Sequence, residues 1–265
     1  MNKAFRAFLL LAAAMSPFGA GGTPYDGKVF ITGIYDADPS DEAIPPLRNF
    51  AYKALEFFSE VDITAAEAPK FAIRVYNDSV TAGFNPSSDA AFASGSSVAA
   101  NSRFYAVKDA TAFDNLYNNT AAVQDWNDRN GGPANIVYEG TQLLNFDGNE
   151  VYQLVYYPNG IGSPAGLVVL DTYGQTNYPG APNVPPVPSF SYDNSWAYRV
   201  STTKGNGAVF NPAQWVIPGA NAIQNFTMAQ STEAIPFGTY TAVPEPSTLA
   251  FGLAGLILLK LRRRA

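Results

Sequence analysis

The 265-residue sequence contains no cysteine and no histidine, and only 14% of its residues are charged. Without cysteine the chain has no disulfide, no thiol nucleophile and no cysteine-ligated zinc or iron–sulfur site. Without histidine it lacks a Ser-His-Asp triad and an imidazole metal site. The options that remain are carboxylate chemistry, cation binding through oxygen ligands, or a role without chemistry.

Positive charge is scarce as well. The net charge is −6 and the isoelectric point is about 4.6. Nucleic-acid binding is therefore not expected, because phosphate contacts need clustered lysine and arginine. The hydrophobic content of 47% and the aromatic content of 14% are sufficient for a sizeable core, in one large or two small domains.

The N-terminus has the pattern of a secretory signal. Lys3 and Arg6 precede an apolar run over 7–15, and small residues follow at 19–22. This order of charge, apolar run and small residues predicts a signal peptide over 1–22, with a helix in its apolar part.

The C-terminus combines three features in order. Val243, Pro244, Glu245 and Pro246 open an extended segment over 243–248, because proline flanks the acid on both sides. A short apolar helix is predicted over 249–261, and a basic end follows over 262–265. The positive residues favour the cytoplasmic side and fix the membrane topology: Lys260, Arg262, Arg263 and Arg264.

This tail resembles the PEP-CTERM sorting signal, which also circulates as an "ice-binding protein C-terminal" domain. The chain has no regular threonine-rich repeat that would indicate an ice-binding face. The resemblance implies an exosortase partner that recognises Pro244, Glu245 and Pro246 and removes the helix. It also implies export across the inner membrane of a Gram-negative bacterium, a membrane-associated precursor, and delivery to the cell surface or the extracellular matrix.

The middle of the chain, over 23–242, is predicted to be one secreted β-rich domain. It carries 10 basic and 21 acidic residues, a net charge of −11. Short β-prone runs alternate with turn residues, which indicates a β-sandwich. The predicted strands are 29–35, 52–58, 71–76, 103–107, 135–138, 151–157, 167–173 and 196–200. One short helix is expected over 111–117 with Thr111 as its cap, and residues 78–101 are predicted to be a long loop or weak edge strand.

Several runs of this middle region resemble a β-sandwich group related to the lamin-tail domain. They are FITGIYD over 30–36 with YKALEFF over 52–58, RFYAVKDATAFDNLY over 103–117, and the hairpin region over 134–160. LDTYG over 170–174 and the runs over 194–200 and 210–217 resemble its last strands. The resemblance implies a mainly β, single Ig-like or lamin-tail-like sandwich. The group has no single activity, so this fold does not determine a function.

Candidate chemistry is confined to acids and aromatics. Asp36, Asp38, Asp41 and Glu42 form an acidic cluster that either ligates Ca²⁺ or lines a solvated turn; no other cofactor is expected. Carboxylate pairs such as Glu56 with Glu150 suit glycoside hydrolysis only if the fold brings them together. Trp126, Trp196 and Trp215 either line a sugar-binding surface or lie in the core.

The interpretation favoured by these patterns is a secreted, non-enzymatic surface or matrix protein sorted through its tail. A carbohydrate-binding or adhesive module, with exopolysaccharide as partner and Ca²⁺ as a possible aid, is the first alternative. A secreted hydrolase that uses carboxylates is the second.

Overall fold

The computed structural model describes residues 22–36, 52–76, 88–113, 135–140, 148, 150–161, 163, 165–175 and 189–242. Apart from residue 22, the predicted signal peptide lies outside the described residues. The whole predicted sorting tail, over 243–265, also lies outside them.

The predicted mainly β fold is confirmed. The described residues form two sheets with ten strands and two short α-helices. The strands are β1 (Val29–Asp36), β2 (Ala54–Ser59), β3 (Phe71–Tyr76), β4 (Ser88–Ala91), β5 (Ser102–Val107), β6 (Ile136–Glu139), β7 (Val151–Tyr156), β8 (Val168–Tyr173), β9 (Ser195–Arg199) and β10 (Trp215–Val216).

One sheet has six strands in the order β10-β9-β1-β2-β5-β6, and the other has four in the order β4-β3-β7-β8. All described pairings are antiparallel except β5 with β6, which is parallel. The main core cluster contains residues of both sheets, such as Ile31 and Leu55 from one and Ile73 and Leu154 from the other. The two sheets therefore pack through a shared apolar layer, as in a sandwich.

The six-stranded sheet is also covered on its outer face. A second apolar cluster joins residues from its strands, including Phe30 and Tyr105, to the C-terminal Ile235, Phe237 and Tyr240. All five of these residues are buried. The chain from about residue 221 to 242 thus forms a third layer over this sheet.

The eight predicted strands are all present, with ends that differ by one or two residues. β3 shows the predicted alternation, since Phe71, Ile73 and Val75 lie in the shared core while Arg74 lies on the opposite face. The weak edge strand foreseen within 78–101 is β4. β10 pairs with β9 and forms one edge of the six-stranded sheet.

The helix predicted over 111–117 begins earlier than expected. The first helix includes residues 110–113, and its cap is Asp109, whose Oδ1 accepts a hydrogen bond of 2.8 Å from the Ala112 N–H. The predicted cap at Thr111 was wrong because a carboxylate two residues earlier reaches the free N–H groups of the first turn. The second helix, Met228–Ala234, was not foreseen, and it begins with a capping box between Thr227 and Gln230.

Candidate functional site

Most of the predicted functional residues lie outside the described residues. This applies to the sorting motif Val243, Pro244, Glu245 and Pro246, and to the topology residues Lys260, Arg262, Arg263 and Arg264. It applies equally to Asp38, Asp41, Glu42 and Trp126. Among the described residues, no helix is both long and apolar enough to cross a membrane.

Asp36 is the one member of the acidic cluster that the structure places. Its Oδ1 lies 2.7 Å from the Nζ of Lys53, and both side chains are almost fully buried. A second lysine, Lys108, is close enough that its pKa is lowered, first by burial and then by the charge of Lys53, while Asp36 opposes that shift. The Asp36 carboxylate therefore already has a cationic partner. Within the described ranges, no three acidic side chains group as ligands for a metal ion.

The two carboxylates considered for glycoside hydrolysis have different partners. Glu150 accepts hydrogen bonds of 3.1 Å each from the Gly148 N–H and from the hydroxyl of Tyr192, a residue of the core shared by the two sheets. Glu56 lies on the outer face of the six-stranded sheet, among residues of the second apolar cluster. Both carboxylates are buried, and each binds neighbouring groups of the fold: Glu150 in the core shared by the two sheets and Glu56 on the outer face of the six-stranded sheet.

Glu56 is the centre of a buried polar cluster. Its Oε1 accepts hydrogen bonds from the hydroxyls of Thr32 at 2.7 Å and Tyr198 at 2.8 Å. Its Oε2 accepts from the Gly238 N–H at 2.6 Å and from the Tyr105 hydroxyl at 3.1 Å. These five residues, which we call the Glu56 cluster, join β1, β2, β5 and β9 to the C-terminal layer.

The strand geometry explains why these side chains meet. Glu56 pairs with Gly33 of β1 on one side and with Tyr105 of β5 on the other. Gly33 in turn pairs with Tyr198 of β9, so the three polar side chains occupy one row across the sheet. Side chains opposite each other on antiparallel strands lie about 5 Å apart, within reach of a hydrogen bond.

Gly33 leaves room for the C-terminal layer. A Cβ atom at this position would lie 2.4 Å from a ring atom of Phe237, closer than packed atoms can approach. The ring of Phe237 occupies this space and also lies 6.1 Å from the ring of Tyr198, centre to centre. The absence of a side chain at Gly33 thus lets the C-terminal segment seat directly on the sheet.

Tyr198 links the cluster to the backbone that follows Gly238. Its hydroxyl accepts hydrogen bonds from the N–H groups of Tyr240 at 2.7 Å and Thr239 at 3.1 Å, while it donates to Glu56. Three consecutive backbone amides are therefore bound by two side chains. We refer to residues 236–242 as the closing segment.

Three further contacts fix the end of the closing segment. The Nη2 of Arg103 donates to the carbonyl of Tyr240, and the Tyr240 hydroxyl donates to the Thr203 carbonyl at 2.5 Å. The Thr202 N–H donates to the Thr241 carbonyl at 2.9 Å. The backbone is thus held up to residue 241, immediately before the predicted sorting motif.

Burial perturbs the ionisation of this cluster. The pKa of Glu56 is raised because the carboxylate is cut off from water, although its hydrogen bonds and the charge of Arg103 work in the opposite direction. The pKa values of Tyr105 and Tyr198 are raised well above their usual range, first by burial and then by the nearby Glu56. Burial also raises the pKa of Tyr240 to about 12. At neutral pH the phenols are therefore neutral hydrogen-bond donors.

A buried ion pair connects the two sheets. The Nη2 of Arg199, on β9, contacts the Oδ2 of Asp171, on β8 of the other sheet. The same Oδ2 accepts from the Ile31 N–H at 2.9 Å, and the Nε of Arg199 donates to the Ile31 carbonyl at 2.6 Å. Arg199 also lies over the Trp215 ring at 4.6 Å from its centre. This pair joins β8, β9 and the middle of β1.

The outer face of the four-stranded sheet carries a polar row. Strand register aligns Asp89, Arg74, Gln153 and Thr172 across its four strands in that order. Arg74 binds both carboxylate oxygens of Asp89, with two contacts of 2.8 Å. Gln153 donates from its Nε2 to the Thr172 hydroxyl at 3.3 Å.

Two tyrosines border this row. The Tyr76 hydroxyl donates to Gln153 at 2.9 Å, and the Tyr157 hydroxyl accepts from Arg74 at 2.9 Å and also contacts Asp89. Arg74 and Asp89 each keep 14% of their side-chain surface exposed, whereas Gln153 and Thr172 are buried. The Asp89–Arg74 end of the row is thus the part that solvent reaches.

The tryptophans favour the core interpretation where they are described. Trp215 is buried in the shared core and contacts the ring of Tyr173 at 4.7 Å between centres. Trp196 is half-buried and packs against the second apolar cluster. Neither residue is a freely exposed sugar platform.

The Glu56 cluster was not predicted from the sequence. A glutamate between Leu55 and Phe57 has the alternation of a strand with one solvent-exposed face, so Glu56 was expected only as one of many acids. The informative signal was further along the chain, where Phe237 and Tyr240 are large apolar residues without a strand or helix of their own.

Comparison of the chain with protein-family models, with curated proteins and with solved structures finds no match in any of the three.

Proposed function

We propose that this chain is a secreted, non-enzymatic protein of the cell surface or extracellular matrix. A signal peptide over 1–22 exports it, and an exosortase sorts it through the PEP-CTERM tail over 243–265. The Ig-like or lamin-tail-like identity of the two sheets, the N-terminal signal helix and the C-terminal membrane helix belong to the same proposal.

The observation that carries this proposal is the order of the tail. Pro-Glu-Pro, a short apolar run and an arginine cluster follow one another over 243–264. The described domain supports the same division, because its closing segment is bonded to the folded part up to Thr241, which binds Thr202 in the turn after β9. The motif begins only two residues later, so the folded part and the proposed signal adjoin without a long linker.

The use of buried charge supports a display role over catalysis. Glu56 binds the closing segment, Asp171 joins the two sheets, and Asp36 pairs with Lys53. All three carboxylates are buried and have structural partners. An acidic residue poised for hydrolysis needs access to substrate and to water, which these environments do not offer.

Sorting is tested by changing the motif in the producing bacterium and following the precursor. Glu245→Gln and deletion of Glu245–Pro246 are each expected to leave the tail uncleaved and the protein in the membrane fraction. Glu233→Gln is the matched control, since it makes the same chemical change at an exposed residue of the Met228–Ala234 helix. Normal cleavage and release of the deletion variant would rule out the sorting proposal.

The polar row on the four-stranded sheet favours one second candidate, a carbohydrate-binding or adhesive module. Bidentate Arg74–Asp89 presents planar hydrogen-bonding groups at the end of the row that solvent reaches, which suits sugar hydroxyls, while the neighbouring Tyr157 ring is buried. The test is pull-down of the processed protein by the producer's own polysaccharide, with Ca²⁺ and with EDTA. Arg74→Ala should reduce the bound fraction and Lys70→Ala should not; equal retention of both would rule out this face.

Calcium dependence is tested separately by melting. If the cluster of Asp36, Asp38, Asp41 and Glu42 binds Ca²⁺, EDTA lowers the melting temperature and added Ca²⁺ restores it. An unchanged melting temperature in both conditions would remove Ca²⁺ from the proposal.

A further inference from the structure

The closing segment leaves very little free chain between the folded domain and the proposed sorting motif. The Thr241 carbonyl is bonded to the Thr202 N–H at 2.9 Å, and the Thr241 N–H to the Ser201 hydroxyl at 3.3 Å. Pro244 is three residues beyond Thr241. A fully extended chain spans at most about 3.6 Å per residue, so the Cα of Pro244 stays within about 11 Å of this anchored residue.

A processing enzyme needs more chain than this. A protease or transpeptidase binds its substrate in an extended conformation, because the enzyme's own backbone and side chains must reach both sides of the scissile bond. On the N-terminal side of the motif, the residues available for such binding are those of the closing segment. Their amides at Gly238, Thr239 and Tyr240 are already bound by Glu56 and Tyr198.

We propose that docking of the closing segment on the six-stranded sheet restrains tail processing, so that residues 239–242 must detach before the enzyme can engage the motif. This inference rests on the sorting function proposed above. The restraint is built from named contacts: Arg103 and Thr203 hold Tyr240 by its carbonyl and its hydroxyl, and Tyr198 holds two amides.

The contacts of the closing segment differ in depth. Phe237 is completely buried in the second apolar cluster, and Gly238 binds the fully buried Glu56. Tyr240 is also almost completely buried in that cluster, and its ring centre lies 5.5 Å from that of Phe30 and 5.2 Å from that of Phe58. Thr239 and Thr241 are exposed, and Ala242 is half-buried. Release from the C-terminal end therefore breaks the contacts of Thr241 first and then withdraws the Tyr240 ring from the second apolar cluster, while Phe237 and Glu56 stay in place.

The experiment measures the rate of tail cleavage of the full chain in the producing bacterium, by pulse-chase. Insertion of six Gly and Ser residues between Ala242 and Val243 supplies free chain and should raise the cleavage rate about tenfold. Tyr240→Phe removes one hydrogen bond of the restraint and should raise it about fivefold. Tyr173→Phe is the matched control, because it removes a phenol-to-carbonyl hydrogen bond of 2.5 Å, to Phe190, on the other sheet. The control should leave the rate unchanged.

The outcomes separate the two proposals. If deletion of Glu245–Pro246 leaves processing intact, the sorting function is wrong and the restraint falls with it. If cleavage depends on the motif but neither the insertion nor Tyr240→Phe changes its rate, sorting stands and the restraint is wrong.

A second measurement does not depend on the enzyme. Amide hydrogen exchange of the full chain, purified in detergent, should show the Tyr240 and Thr241 amides opening faster than those of β2. Tyr240→Phe should accelerate the Thr241 amide by about the same fivefold factor. If these amides exchange only together with β2, the segment opens by global unfolding alone and the proposal is overturned.

Discussion

The carboxylate of Glu56 accepts a hydrogen bond of 2.6 Å from the backbone N–H of Gly238, which lies 182 positions further along the chain. The contact closes the fold by fastening the C-terminal layer to the centre of the six-stranded sheet. The buried Glu56 carboxylate therefore has a structural role that its neighbours in the sequence do not indicate.

Replacing Glu56 by alanine is expected to destabilise the protein by about 3 kcal/mol. The change removes the acceptor for all four donors of the Glu56 cluster at once, and each buried donor left without a partner costs about 1–3 kcal/mol, offset where water enters the space. Urea denaturation measures the loss. Glu233→Ala is the control, because Glu233 is exposed on a helix and its replacement should change stability by less than about 0.5 kcal/mol. Equal midpoints for the two variants would contradict a central role for Glu56.

The pH dependence of stability should carry the signature of Glu56. Its pKa is raised above the usual 4.5 by burial, so the folded state binds a proton more tightly than the unfolded state does. The stability that this group contributes is therefore fully present below about pH 4.5 and is lost as the pH rises through the folded-state pKa. Asp171, whose pKa is also raised by burial, follows the same direction.

Comparison with Glu56→Gln isolates that group. A protonated carboxyl still accepts a hydrogen bond on either oxygen, whereas the nitrogen of glutamine accepts none and faces either Gly238 or Tyr198 as a second donor. Wild type should therefore be more stable than Glu56→Gln at pH 4, and its advantage should shrink toward pH 8. Asp171 is present in both proteins and cancels. An advantage that grows with pH would show that the pKa of Glu56 is lowered instead.

The strands could be predicted from the sequence because alternation and turn residues are local signals. FAIRVY, over 71–76, alternates an apolar and a mixed face, and it became β3 with those faces in place. β4 (Ser88–Ala91) has small residues and a weak pattern of its own. It is stabilised by pairing with β3 and by the Asp89–Arg74 ion pair, which are contacts with the preceding strand that the four residues of β4 do not indicate by themselves.

The C-terminal layer could not be predicted for a related reason. Alternation in β2 shows which side chains share a face, but it does not show whether another layer covers that face. Glu56 therefore had the pattern of a solvent-facing residue although it is completely buried. The Thr227–Gln230 capping box was a readable signal for the second helix. The seating of Phe237 against Gly33 depends on tertiary packing alone.

Breaking the buried pair between Asp171 and Arg199 is expected to cost about 3–5 kcal/mol, because Asp171→Ala leaves the guanidinium buried without its counter-charge. Arg199→Lys should not preserve stability. Lysine lacks the fork that reaches the Ile31 carbonyl, the Lys204 carbonyl and the Gln214 side chain together. Guanidinium denaturation checks both variants.

The comparison pair for this prediction is Glu67 with Lys70. These two side chains are partly exposed and lie directly before β3. Glu67→Ala should cost less than about 1 kcal/mol from the lost ion pair, since solvent screens exposed charges. Because Glu67 also accepts from the Tyr156 hydroxyl, Lys70→Ala is the cleaner of the two controls. If Asp171→Ala cost no more than Lys70→Ala, the pair would not hold the two sheets together.

Gly33→Ala tests whether the closing segment seats on the sheet as described. A methyl group there would lie 2.4 Å from the Phe237 ring, so the ring or the strand has to move, and overpacking of this kind costs about 1–3 kcal/mol. Gly140→Ala is the matched control, because its added methyl would lie equally close, at 2.4 Å, to the Tyr138 hydroxyl, but the Tyr138 ring is only half-buried and moves at less cost than the completely buried Phe237. Combining Gly33→Ala with Phe237→Leu should recover part of the loss, since the smaller side chain clears the methyl group. Thermal melting of the wild type, the two single variants Gly33→Ala and Phe237→Leu, and the double variant is the measurement. If the double variant is no more stable than the sum of its single changes predicts, Phe237 does not occupy the space above Gly33.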